Sequence, residues 1–174
     1  MFFVINFVKD VTVSPSDLSK DLTKIIKVKL FEQVTGTCHP KYGYFIKIIS
    51  VGKIENGLIM EGSGDIVFKI KYQVALMRPF KGEVCDGIIN SVMAEGGIHV
   101  QVGPMKVYIA EEDLQDGYTL DKKSLSYISD RNKPELKVGA KIRFRYKEIQ
   151  LNKNNNEFCP IGTIKGKYLG SLED

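Results

Sequence analysis

The segment from Lys141 to Lys147 alternates basic and apolar side chains along its whole length. In a β-strand, successive side chains point to opposite faces, so the cations of this segment would share one face. Those cations are Lys141, Arg143, Arg145 and Lys147. Alternate residues of a strand lie ~6.6–6.8 Å apart, which roughly matches successive phosphates of a nucleic-acid strand. The segment predicts either a surface that follows a nucleic-acid backbone or an edge strand that is protected by its charge.

Residue types that carry catalysis or bind metals are few and unfavourably spaced. The three cysteines are far apart and form no CxxC pair, so neither a disulfide framework nor a zinc site is indicated. Neither His39 nor His99 has a nucleophile and an orienting acid nearby in the sequence. The acidic residues 111–113 and Asp116 lack the spacing of a calcium loop, and residues 62–64 lie in no phosphate-loop frame. We therefore expect no enzyme activity, no metal and no cofactor.

The composition is typical of a β-rich chain with a core of its own. Apolar residues make up 43% and charged residues 26%, which excludes disorder as the main state. Ile and Val number 34, against 16 for Leu and Ala, and β-branched side chains favour strands. No stretch approaches the ~20 consecutive apolar residues of a membrane span, so no membrane partner is predicted. The net charge of +4 implies no general nucleic-acid coat, and such binding must come from local patches.

The N-terminal half is predicted to contain strands around one helix. Alternating apolar residues predict strands over residues 2–13, 42–50 and 66–76. Ser14 and Pro15 suit the cap and first turn of a helix, which should end at Gly36.

A glycine-rich segment, residues 52–64, separates the last two of these strands. Its four glycines are too many for a core, and its apolar residues are too many for a simple linker. We expect a hairpin-like loop that places apolar side chains against another molecule. The residues predicted to form this tip are Ile54, Gly57, Leu58, Ile59, Met60 and Gly62.

A proline and a glycine, Pro79 and Gly82, interrupt the pattern and predict a domain boundary between residues 79 and 80. The predicted domains are residues 1–79 and 80–174. The second contains five short strand patterns, which suggest a small sandwich or a five-stranded OB barrel. A long polar connection over residues 111–139 separates the third pattern from the fourth. The predicted fold class is α+β, rich in β-structure.

Four blocks of sequence occur in a characteristic order. Residues 79–84 read Pro-Phe-Lys-Gly-Glu-Val, within the block Tyr72–Val84. The other blocks are Val34–Tyr44, Gln101–Ile109 and Ile161–Gly170. Together they resemble the stalk subunit (the seventh subunit) of eukaryotic RNA polymerase II, a family that also has an archaeal RNA polymerase relative.

The resemblance implies a non-catalytic polymerase subunit of the nucleus with two domains. These would be an N-terminal truncated ribonucleoprotein-like domain and a C-terminal OB domain that contacts exiting RNA. It also implies a heterodimer with a mainly helical stalk subunit, and docking on the polymerase core through the tip of the N-terminal domain. By position that tip is residues 53–64, which agrees with the apolar loop described above.

One departure from RNA-binding OB domains concerns their aromatic residues. The positions that commonly carry base-stacking rings are occupied here by Glu95, Ile98 and Tyr108. Because stacking contributes ~1–3 kcal/mol per base, we expect binding to single-stranded RNA to be weak and electrostatic. The predicted RNA-binding residues are Lys106, Tyr108, Lys141, Arg143, Arg145 and Lys147.

Two other functions fit the same sequence. One is a free-standing OB-fold RNA-binding factor, which would have no use for an apolar docking tip. The other is the equivalent stalk subunit of RNA polymerase I or III, which only motif similarity separates from that of polymerase II.

Overall fold

The chain divides into two units, one formed by Phe2–Arg78 and one by Pro79–Asp174 together with Met1. A computed structural model describes residues 1–18, 21–121, 123–129, 134–152 and 156–172. Within its described residues, the N-terminal unit contains one α-helix and five strands. They are β1 (Phe2–Val13), α1 (Leu22–Val34), β2 (Cys38–His39), β3 (Gly43–Val51), β4 (Leu58–Ile59) and β5 (Ile66–Met77).

The strand β5 organises the N-terminal sheet. It pairs antiparallel with β1 along its whole length, from Val13 opposite Ile66 to Phe2 opposite Met77. Its other edge pairs with β4 at one end and β3 at the other, and β2 extends β3. The sheet order leaves β1 at an edge.

One face of this sheet packs against α1. The predicted alternation of β5 is confirmed, because Phe68, Ile70, Tyr72, Val74 and Leu76 are all buried. They form one core with Ile26, Leu30 and Val34 of the helix.

The helix begins later than its sequence signals predict. Residues Pro15–Asp17 form a 3₁₀ turn, and the α-helix starts at Leu22, with residues 19–20 outside the described part of the chain. The Asp17 carboxylate accepts hydrogen bonds from Ser14 Oγ at 3.1 Å and Lys29 Nζ at 2.6 Å. The helix end agrees with prediction, since Thr35 N donates to Phe31 O and Gly36 adopts a φ of +79°.

The C-terminal unit is a closed barrel with a hairpin excursion. Its strands are β6 (Val84–Val92), β7 (Ile98–Val102), β8 (Met105–Ile109), β9 (Tyr118–Asp121), β10 (Ser126–Ser129), β11 (Lys141–Asn152), β12 (Glu157–Thr163) and β13 (Gly170–Ser171). Five of them follow the order β12-β8-β7-β6-β11, and β11 pairs with β12 to close the ring. The contact between β8 and β12 is parallel, and the other contacts of the ring are antiparallel. This closure confirms the OB barrel and excludes the sandwich.

The connection between β8 and β11 is less polar in the structure than predicted. It contains a 3₁₀ turn at Glu111–Asp113 and the β9–β10 hairpin. Its residues Leu114, Tyr127 and Leu136 are buried. Gly97 N donates a 2.6 Å hydrogen bond to the Tyr127 hydroxyl, so the excursion is fastened to the barrel.

The helices within the described ranges are too short and too polar to cross a bilayer.

Two isoleucines of the N-terminal unit should differ sharply in their effect on stability. Ile70 is fully buried in the core, whereas Ile59 is 72% exposed. Ile70→Ala should lower the free energy of unfolding by roughly 2–5 kcal/mol because it opens a cavity. Ile59→Ala should change it by less than about 0.5 kcal/mol. Urea unfolding of the full chain measures both, and equal losses would contradict the packing described for β5.

Candidate nucleic-acid interface and docking tip

The basic segment forms the first half of β11 with the predicted orientation. Ile142, Phe144 and Tyr146 are buried inside the barrel. Lys141 and Arg145 are exposed on its outside, and Arg143 is half-buried between them. The barrel core therefore forces the cations of this strand outward.

Two of the four cations are already paired with acids. Arg143 Nε and Nη2 donate to Asp86 Oδ1 and Oδ2 at 2.6 and 2.9 Å, from the position directly opposite on β6. This hydrogen bonding and charge hold the pKa of Asp86 below its usual range. Lys147 Nζ donates to both oxygens of the buried Asp113 at 3.0 and 2.9 Å, and these bonds raise the pKa of Lys147. Lys141 and Arg145 form no ion pair with any described residue.

The cations also do not form one straight line. The register between β11 and β12 shifts between Tyr146 and Glu148, so Lys147 lies at a bulge. A bulge bends its strand and increases the local twist. The regular spacing expected from the sequence therefore applies only from Lys141 to Arg145.

The predicted RNA-binding residues fall on two separate parts of the barrel. Lys106 and Tyr108 belong to β8, whereas the other four belong to β11. Around the ring, β12 lies between these strands on one side, and β7 and β6 lie between them on the other. The predicted RNA-binding residues therefore form two separate patches on the barrel.

On β8, the ring of Tyr108 is held in place by its neighbours. Its hydroxyl donates to Gly96 O at 3.3 Å, and its ring lies 5.5 Å from that of His99 on β7. Burial and then the charge of Lys106 lower the pKa of His99, which favours a neutral imidazole. The sequence considered alone placed His99 only among possible catalytic residues, whereas the hairpin around Gly103 sets it directly opposite Tyr108.

A groove of about 480 Å³ lies beside the exposed cations of β11. Two of its residues, Lys167 and Tyr168, were missed by the sequence analysis. They reach this place because β13 pairs with β11, with Gly170 opposite Arg143. The groove is lined by Val84, Cys85, Asp86, Arg143, Arg145, Lys167, Tyr168 and Leu169.

The predicted docking tip is a hairpin between β4 and β5. Met60 N donates to Asp65 O at 2.7 Å, and Gly64 N donates to Met60 O at 3.1 Å. Gly62 turns the chain with a φ of +92°. Leu58, Ile59 and Met60 are 76%, 72% and 50% exposed.

The other two predicted tip residues belong to the fold instead. Ile54 packs against the core of the N-terminal unit. A Cβ on Gly57 would overlap the side chains of Ile66 and Phe68, so the glycine permits the close approach of the hairpin to the sheet. The exposed apolar part of the tip is therefore Leu58, Ile59 and Met60.

The three cysteines are free, and Cys159 is exposed. Within the described ranges, no three His, Cys, Asp or Glu side chains converge in a way that could hold a metal. The chemistry that these surfaces offer is therefore ionic contact, stacking and apolar contact.

The sequence is similar to known proteins along almost all of its length. Residues 9–64 match the family described as "SHS2 domain found in N terminus of Rpb7p/Rpc25p/MJ0397". The chain is 30% identical over 174 residues to "DNA-directed RNA polymerase II subunit rpb7" of Dictyostelium discoideum, covering 99% of each chain. It is 32% identical over 176 residues to "DNA-directed RNA polymerase II subunit RPB7" of Saccharomyces cerevisiae, covering 99% of this chain and 100% of the relative. This chain belongs to the Rpb7 family.

Membership of the Rpb7 family confirms the resemblance that four sequence blocks suggested. The identity is lower to "DNA-directed RNA polymerase IV subunit 7" of Arabidopsis thaliana. It is 24% over 173 residues, which cover 98% of this chain. The SHS2 match includes α1, β3 and β4 and ends at Gly64, inside the predicted tip.

The pairing of Arg143 with Asp86 predicts a specific change in titration. Arg143→Gln should raise the pKa of Asp86 toward its usual range, because the bonds that favour the carboxylate are lost. Arg145→Gln, two residues along the same strand, should leave it unchanged. Carboxyl NMR titration measures both.

The lowered pKa of Asp86 in the folded state determines how the contribution of this ion pair to stability changes with pH. The pair stabilises the fold above the unfolded-state pKa of Asp86, and this contribution is lost as the pH falls through the lower folded-state pKa. If both variants moved the Asp86 titration equally, the pairing would be excluded.

Proposed function

We propose that this chain is the non-catalytic stalk subunit of RNA polymerase II. The observation that carries the proposal is the match to polymerase II subunits over 99% of the chain. That match includes the N-terminal unit as well as the barrel, which disfavours a free-standing OB-fold factor. A subunit of this polymerase works in the nucleus.

The tip is proposed to attach this subunit to the polymerase core. Leu58, Ile59 and Met60 lie exposed on one hairpin. Contact of these apolar side chains with water does not stabilise the isolated chain, so the patch favours a contact surface. A crevice in the core would bury them, and each large side chain would contribute ~1.5–3 kcal/mol before the cost of ordering the loop.

A second subunit is proposed to cover the face of the N-terminal sheet that lies opposite α1. On β1, Phe3, Ile5 and Phe7 pack on the core, so the alternating residues Phe2, Val4 and Val8 lie on the other face and are exposed. Such an apolar row on an edge strand favours an interface. The helical stalk subunit is the expected occupant.

RNA contact is proposed for the barrel and is expected to be weak. Asp86 and Asp113 neutralise Arg143 and Lys147, which leaves Lys141 and Arg145 on β11. Lys106 and Tyr108 form a separate patch on β8. Few uncompensated cations imply few released counterions and hence low affinity.

Replacing Leu58, Ile59 and Met60 with Ser should make the free energy of binding to the polymerase core less favourable by several kcal/mol at most. The stalk heterodimer should remain intact, because these side chains are not part of a core. The measurement is a pull-down of core polymerase by wild-type and variant heterodimers at matched salt.

A matched control replaces three exposed apolar residues of the barrel unit, Ile128, Val138 and Leu151, with Ser. This control should capture the core as the wild type does. Equal recovery of the core by the tip variant and the control would exclude the docking role, and loss of the heterodimer in the tip variant would mean that the tip pairs with the other subunit.

Introducing charge on the open face of β1 should separate the two subunits. The variant Val4→Lys/Val8→Lys should lose co-purification with the stalk partner, because a buried unpaired charge strongly disfavours an interface. Ile128→Lys/Val138→Lys places the same two charges on exposed positions of the barrel unit and should keep the partner. Retention of the partner by the β1 variant would place the interface elsewhere.

A further inference from the structure

The groove beside β11 combines an exposed aromatic ring with cations that are not neutralised. Tyr168 is 91% exposed at its rim. Arg145 and Lys167 line the same groove, and neither forms an ion pair within the part of the chain that the structure describes. Arg143 and Asp86 cancel each other, so the groove has a net charge of two positive units.

The turn that carries Lys167 and Tyr168 is anchored at both ends. Ile164 and Leu169 are buried. Ile164 N donates to Asp113 O at 2.9 Å, and Gln115 Nε2 donates to Leu169 O at 2.5 Å. The turn therefore presents its two outer side chains from a fixed backbone.

The backbone of Tyr168 is itself unusual. Its φ of +65° lies in the left-handed region, which bulky residues rarely adopt. A fully exposed ring gains little packing to compensate this strain. Strained residues of this kind cluster at binding sites, and the combination favours a role for the ring outside the fold of this chain.

We propose that this groove binds single-stranded RNA, with one base stacked on Tyr168 and flanking phosphates contacted by Arg145 and Lys167. The inference rests on the proposed function, because a subunit of a polymerase meets newly made RNA. Aromatic rings next to cations bind single strands with little sequence preference, since every base has a face that can stack. The proposed site also gives a role to the exposed Tyr168 ring, which the pairing of β13 with β11 holds beside the basic strand.

A phosphorylated peptide fits the groove less well. Arg145 and Lys167 could contact a phosphate group of either ligand, whereas the Arg143 guanidinium is already engaged with both oxygens of Asp86. The ring of Tyr168 would add nothing to phosphate binding, whereas it offers a stacking surface to a base.

The proposal sets the expected salt dependence of RNA binding. Two phosphate contacts give a log–log slope of ~1.4 for a single strand, so the affinity should fall about sevenfold between ~50 and ~200 mM salt. Four contacts, as the unpaired basic strand would make, would give a fall of about fiftyfold over the same range.

The test uses the heterodimer of this chain with its stalk partner and a fluorescein-labelled oligouridine. Tyr168→Asn removes the ring but tolerates the left-handed backbone, so it should keep or raise the melting temperature. Its RNA affinity should fall about 5- to 150-fold. Tyr168→Phe keeps the ring and should bind within about twofold of wild type. Arg145→Gln/Lys167→Gln should abolish most of the salt slope, whereas Lys123→Gln on the exposed turn between β9 and β10 should not.

Unchanged RNA affinity in a folded Tyr168→Asn variant would overturn the proposal. It would also be overturned if a phosphoserine peptide bound in a Tyr168-dependent manner while the RNA did not bind. Capture of the polymerase core by the same samples separates this inference from the proposed function. Wild type that captures the core but does not bind RNA contradicts the groove and the RNA contact of the barrel while leaving the subunit assignment intact, whereas failure to capture the core contradicts the subunit assignment.

Discussion

The barrel closes through β11, and this closure determines what the C-terminal unit can offer to other molecules. The strand pairs with β6 on one edge and with β12 and β13 on the other. Its apolar residues Ile142 and Phe144 are completely buried, and the period of two then directs the cations between them outward. The outward row is a geometric consequence of filling the core, and the neighbouring strands decide which of its charges remain available.

Those neighbours remove much of the charge. Asp86 lies directly opposite Arg143 on β6, and Asp113 follows β8 in a short turn. The Arg143–Asp86 pair is solvent-exposed, and exposed ion pairs add little to stability, so its main effect is on the surface potential. The sequence of β11 places four cations on its outer face. Of these, only Lys141 and Arg145 lack an ion pair with any described residue. The pairing of β13 with β11 also brings the preceding turn beside β11. This turn places Lys167 and the exposed ring of Tyr168 next to the neutralised Arg143.

Much of the fold could be predicted because its determinants are local. The alternation in residues 66–76 and the strand patterns after Gly82 reflect the period of a sheet with one buried face. The start of α1 could not be predicted from its cap, since Lys29, twelve residues along the chain, binds Asp17. The candidate site depended on contacts that no local pattern records. Asp86 lies 57 residues from Arg143, and Tyr168 reaches the groove only through the pairing of β13.

The tip and the groove differ in the physical basis of their proposed contacts, and this difference suits a stalk. Leu58, Ile59 and Met60 would bind by apolar burial, which depends little on salt and favours lasting attachment. The groove would bind through two cations and one ring, which gives contacts that are weak and quickly released. An RNA product must move as it is made, so a surface that held it with all four cations of β11 would oppose that movement. In the proposed site, the pairing of Arg143 with Asp86 and of Lys147 with Asp113 would keep the RNA contact weak. Stacking on Tyr168 would add affinity for any base, because stacking depends little on sequence.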